Sequence, residues 1–184
     1  MATVILRPSS IGGSTTGWNS TTLSDINDNN DATSWTQNNI TCFYHGALDD
    51  LDSSLSGATI NNFTITLLAA AGRAGASTVE MSLVHSSDGA FAAENESFTG
   101  SKSTQTTSAR TTQQDGSSAL TFAYINNCSV KIEPNNQGTT VKEVYVTVTY
   151  PDTGYGNNVN SVAAANIGEV NDVATADIEK IISV

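Results

Sequence analysis

The chain has 184 residues, with 7 basic and 18 acidic side chains and a formal net charge of −11. So few Lys and Arg residues give no strong phosphate-neutralising surface, which argues against nucleic acid as a partner. No stretch approaches the ~18 apolar residues of a membrane span, so no membrane partner is expected. Ser and Thr make up roughly a quarter of the chain, above ordinary usage. The apolar residues come in patterned runs, which separates the sequence from disordered ones.

The dominant hydrophobic period is two. Thr3 to Leu6 is a short β-branched run that stops at Arg7-Pro8, and Gly12-Gly13 punctuates the loop after it. Trp18 and Leu23 read as anchors in a polar segment, residues 25–31 (DINDNND) as a loop, and Ser34 to Gln37 and Ile40 to Tyr44 as strands. Asp49 to Ser56 is a polar loop. From Phe63 the alternation is clear: Phe63, Ile65 and Leu67 on one face, Thr64 and Thr66 on the other. After the small-residue turn Ala69 to Ala76, Val79, Met81 and Leu83 alternate with polar residues; Asp88-Gly89 marks a turn and Phe91 to Phe98 an interrupted strand.

Lys102 to Thr112, almost without large apolar residues, reads as an edge strand. Asp115-Gly116 marks a turn, and alternation over Leu120, Phe122 and Tyr124, then Cys128, Val130 and Ile132, indicates two more strands. In Val141 to Tyr150, Val144, Val146 and Val148 face one way and Tyr145, Thr147 and Thr149 the other, until Pro151 ends the run. No helix-period segment precedes residue 160. About eight short strands with turn signals between them predict an all-β, antiparallel sandwich over residues 1–155.

Residues 156–184 differ in character. VAAANIGEV (162–170) and VATADIEKI (173–181) align at a spacing of 11, pairing Val162 with Val173, Ile167 with Ile178 and Val170 with Ile181. The repeat is too short to fold alone. It predicts either one-turn helices or hooks packed on the sandwich, or an interaction tail reaching a neighbouring subunit. In the second case those six residues form the interface.

The chemistry-bearing motifs are few. There is no GxSxG, HExxH, CxxC or phosphate-cradling glycine loop, so no cofactor and no enzymatic activity are expected. His45 and His85 fall in or near strands and read as structural, although a Ser-His-Asp set can form across sequence. Asp49, Asp50 and Asp52 read as a solvated acidic loop. Asp25, Asn27, Asn29 and Asp31 alternate like the first ligands of a calcium loop, but Thr36 stands where the closing Glu belongs, so an unliganded turn is the favoured reading. Trp18, Trp35 and Tyr155 are the aromatic candidates for stacking a sugar, set against core packing for the tryptophans. Cys42 and Cys128 read as reduced, buried small hydrophobes. Residues 1–8 lack the basic and long apolar regions of a signal peptide, and the sequons at Asn19, Asn39, Asn62, Asn95 and Asn127 carry little weight.

Three segments together resemble a β-sandwich module common among tailed-bacteriophage virion proteins. They are Thr3-Val4-Ile5-Leu6-Arg7-Pro8 followed by Gly17-Trp18 and the acidic, Asn-rich stretch; Leu55-Ser56-Gly57-Ala58-Thr59-Ile60-Asn61-Asn62-Phe63; and the closing run Val141 to Tyr150. The tail is similar to short repeats of marine phage structural proteins. The resemblance implies a jelly-roll-like sandwich and a non-enzymatic virion protein, either a capsid decoration (cement) protein or another particle-surface component. A receptor- or carbohydrate-binding fibre or spike module, or a tail or neck subunit, is the alternative. It further implies a virion location after assembly in the host cytoplasm. The implied partners are major capsid or tail proteins, further copies of the chain as a homo-oligomer, and a host surface glycan in the alternative case.

Overall fold

The computed structural model describes residues 1–12, 17–20, 22–27, 33–37, 43–72, 75–151 and the backbone of 169–170 and 173–174. Two antiparallel sheets face each other. The first takes β1 (Ala2–Leu6), β10 (Thr140–Tyr150), β4 (Asn62–Ala70) and β8 (Ser103–Thr106) in that order, with β2 (Trp35–Thr36) also on β10. The second runs β3 (Tyr44–Ala47), β9 (Cys128–Pro134) and β5 (Ala76–His85), with β6 (Gly89–Ala90) and β7 (Glu94–Thr99) both on β5. The chain is an all-β sandwich, as the period-two pattern predicts.

The core is the space between the sheets. Phe63, Ile65, Leu67 and Ala69 of β4 and Val144, Val146 and Val148 of β10 come from one side. Val79, Met81 and Leu83 of β5 and Cys128, Val130 and Ile132 of β9 come from the other. In β10 the register slips between Val141 and Glu143, leaving Lys142 as the extra residue of a β-bulge. Were the strand regular, Val141 and the valines at 144, 146 and 148 would fall on opposite faces; with the bulge, all four are buried. The chain after β1 changes sheets. Pro8 bridges Leu48, Ser9 N–H donates to Ala47 O at 2.8 Å, and His45 N–H donates to Gly12 O at 3.3 Å.

Among the described residues two one-turn α-helices interrupt the β structure. α1 (Ser24–Asn27) packs against β10 and buries Ile26. It lies where a loop was expected. α2 (Phe122–Asn126) replaces the expected strand through Leu120, Phe122 and Tyr124. The reason is local: Thr121 caps it, its Oγ1 accepting from Tyr124 N–H at 3.2 Å. Leu120 and Ile125 occupy the N′ and N4 positions of a hydrophobic staple, and both are buried.

The remaining departures are at element ends. The strand whose alternation is clear from Phe63 begins at Asn62, and Ala69 and Ala70, expected in the turn, belong to β4. The break in the Phe91–Phe98 stretch lies at Phe91, which turns inward with its N–H on Leu83 O at 2.8 Å. The edge strand expected over 102–112 is β8, four residues long. Of the Ile40–Tyr44 stretch only its end is described, with β3 starting at Tyr44.

Candidate functional site

The outer face of the first sheet is built from alternate residues of four strands. Register places Thr3, Thr149 and Asn62 in one row, and Ile5, Thr147 and Thr64 in the next. Tyr145, Thr66 and Thr106 form a third, and Glu143, Leu68 and Thr104 a fourth. Thr66 Oγ1 and Thr106 Oγ1 share a hydrogen bond of 3.0 Å across β4 and β8. Ile5 stands 50% exposed at the β1 side.

Charge is almost absent from this face. Across β1, β10, β4 and β8 the charged residues are Lys142 and Glu143, at one end of β10. Arg7 Nη1 lies 2.6 Å from Glu143 Oε1, and its guanidinium sits 5.5 Å from the centre of the Tyr145 ring. The pair is partly buried, so its charges are mutually neutralised with little net field outward. The second sheet is different. Lys131 Nζ contacts Glu133 at 2.5 Å and Glu80 at 3.6 Å, and β7 adds Glu94 and Glu96. The Glu133 bond, chiefly, raises the Lys131 pKa. Burial, then Lys131, lowers that of His45. In a chain of net charge −11, the threonine face presents a nearly uncharged surface.

The two tryptophans are not sugar platforms. Trp35 is 1% and Trp18 8% exposed. Their rings lie 5.7 Å apart, and Trp35 meets Tyr44 edge-on at 5.4 Å, linking the layers. Trp35 Nε1 donates to Thr22 O at 2.8 Å. Hydrophobic burial of the large rings outweighs exposure, and the core-packing alternative holds. Tyr155 lies outside the described residues.

Nor do Asp25 and Asn27, the two described residues of the calcium-loop spacing, point together. α1 turns Asp25 and Asn27 about 200° apart around its axis, from the ~100° per residue of a helix. Asp25 Oδ2 meets Ser20 Oγ at 2.5 Å, while Asn27 Nδ2 donates to Pro8 O at 2.8 Å. Asn29 and Asp31 lie outside the described residues. Among the described residues no group of three or more His, Cys, Asp or Glu side chains converges as a metal site, and no helix is long and apolar enough to cross a membrane.

Histidine and carboxylate do meet at one end of the sandwich, in a structural arrangement. The His85 ring stacks on Tyr124 with centres 3.9 Å apart. Ser87 Oγ and Asp88 Oδ2 each lie 3.4 Å from His85 Nδ1. A catalytic triad needs the nucleophile and the carboxylate on opposite ring nitrogens, so this is not one. The backbone N–H groups of Ser87 and Asp88 also point at Nδ1, at 3.4 and 3.3 Å, making the imidazole a cap for the turn. Burial raises the Tyr124 pKa; the Gln114 N–H bond opposes that shift and Asp88 adds to it.

The acidic loop is likewise structural: Asp49, Asp50 and Asp52 are exposed, and Asp52 Oδ1 accepts from Ser54 N–H at 2.8 Å to cap a 3-10 turn. Cys128 is a buried free thiol whose pKa burial pushes up to about 12. Cys42 lies outside the described residues.

Of the tail candidates, Val162, Ile167, Ile178 and Ile181 lie outside the described residues. The backbones of β11 (Glu169–Val170) and β12 (Val173–Ala174) pair antiparallel, with Val170 opposite Val173. The threonine face was missed in the sequence reading. Its signal is the polar half of each alternation, where Thr recurs at 64 and 66, at 104 and 106, and at 147 and 149.

No protein-family model matches the chain, and no curated protein does. Among solved structures it is similar to a truncated AlyQ with CBM32 and alginate lyase domains, at 12% identity and a TM-score of 0.47; the match covers 85% of this chain and 36% of that one, so the chain spans about a third of its length.

Proposed function

We propose that this chain is a non-enzymatic structural protein of a bacteriophage particle, a capsid-decorating component of its surface. The observation that carries the reading is the hydroxyl-lined, nearly uncharged outer face of the first sheet in an otherwise acidic protein. Strand and residue spacings give that face an area on the order of 400–500 Å². A stable pairwise interface buries ~800 Å² per partner. A face of this size is therefore weak alone and suits a lattice, where many copies are held together and each contact adds avidity. Repulsion between free copies of net charge −11 keeps the chain dispersed until a particle presents its surface. The sequence resemblance to phage virion proteins points the same way.

The test is incorporation. The full chain and a chain lacking residues 160–184 are supplied during infection, and particles are banded by density. The full chain bands with particles at fixed stoichiometry, while the shortened chain folds, with its strand circular dichroism intact, and stays in the supernatant. A full chain found wholly in the supernatant overturns the proposal; equal incorporation of the two removes the tail from it.

A further inference from the structure

We propose that the corner between Trp18 and Gln37 holds one internal water molecule, bridging the Trp18 Nε1–H donor to the Gln37 Oε1 acceptor. The two residues are directly opposed in an isolated antiparallel bridge, so their side chains share a face. Asn19 N–H donates to Thr36 O at 3.0 Å, which makes Trp18 and Gln37 the narrow, non-hydrogen-bonded kind of pair, where side chains come closest. Gln37 is fully buried and Trp18 8% exposed. Among the described residues neither Trp18 Nε1 nor Gln37 Oε1 has a hydrogen-bond partner. Buried polar atoms of this kind carry a desolvation cost that a partner removes.

The chemistry of the pair selects the occupant. An indole N–H repels a cation and an amide oxygen repels an anion. A neutral molecule that both donates and accepts satisfies the two, and water is the smallest. The surroundings are polar enough for it. Gln37 Nε2 donates to Pro134 O at 3.0 Å, reaching the second sheet. Nearby, Ser77 Oγ and Thr139 Oγ1 share a bond of 2.7 Å, and Thr139 Oγ1 donates to Asn136 O at 2.7 Å. The water fixes which end of the Gln37 amide faces Pro134, and so holds the bond that joins the layers at this corner. Globular proteins carry about one such water per 27 residues.

The chain has two tryptophans, so its indole N–H spectrum has two side-chain signals, and a Trp18→Phe variant assigns them. A rotating-frame NOE experiment on the wild-type chain is expected to give a cross-peak to water at the Trp18 indole, while Trp35, bonded to Thr22 O, gives none. A crystal structure near 1.8 Å resolution is expected to show one solvent peak within hydrogen-bond distance of both atoms. An indole without a water cross-peak, or density in which Nε1 and Oε1 are bonded by protein groups, overturns the proposal.

Discussion

Deleting Lys142 is expected to leave the buried face of β10 intact, because it removes the extra residue of the bulge. Val141 faces Ala69 and Glu143 faces Leu68, so their partners are already consecutive and the shortened strand pairs without a slip. Val141 and Val144 then stand two apart and keep the buried face of Val146 and Val148. The cost is that of a lost side chain and a changed local twist, at most about 1 kcal/mol. Deleting Tyr145 removes a residue from the regular part of the same strand. With the ladder kept from Val146 onward and the bulge absorbed, Val144 turns to solvent and Glu143 turns inward, at about 1.5–3 kcal/mol for the valine alone. Urea unfolding followed by circular dichroism measures both, as a fall in midpoint at constant slope. A Lys142 deletion as costly as the Tyr145 deletion would refute the role given to the bulge.

Trp35→Ala should cost about 3–5 kcal/mol in the same assay, since the ring is buried between the layers; a loss below about 1 kcal/mol would contradict that placement. Gly46→Ala should lower the melting temperature, because an added Cβ would stand 2.0 Å from the Tyr44 hydroxyl oxygen and break its bond to Ser10 O. The Asp115 pKa is lowered to about 2, first by the Ser118 hydroxyl bond and then by the Ser117 and Ser118 N–H groups. Its stabilisation is present above the unfolded value of 3.8 and lost as pH falls through about 2. Asp115→Ala should therefore melt lower than wild type at pH 6, with the gap closing below pH ~2; a gap independent of pH would contradict it. Cys128, buried and with its pKa raised to about 12, should resist iodoacetamide at pH 8 in the native chain and react once unfolded, read by peptide mass spectrometry.

The fold was legible where one face of a strand is buried and the other wet. In β4, β5, β9 and the valine run of β10 every apolar residue of the alternation is buried, while Thr66 and Ser82 from the polar half are covered as well. It was illegible where burial and local capping compete. Leu120, Phe122 and Tyr124 alternate like a strand, yet the Thr121 cap and the Leu120–Ile125 staple make a helical turn. Asp25 and Asn27 share a spacing with calcium ligands, yet α1 sends them to Ser20 and Pro8. The bulge at Lys142 leaves no composition signal, because any residue can fill it. The threonine face was hidden for a different reason: each strand shows only a polar half, and the surface exists only once register lines the halves up.

Thr147 sits within that face, between Ile5 and Thr64. A Thr147→Cys variant, labelled by maleimide and read at residue 147 by mass spectrometry, compares the free chain with the chain in purified particles. Labelling of the free chain and protection in the particle is the expected result. Equal labelling in both states, with the chain present in the particle, would contradict the threonine face as the docking surface.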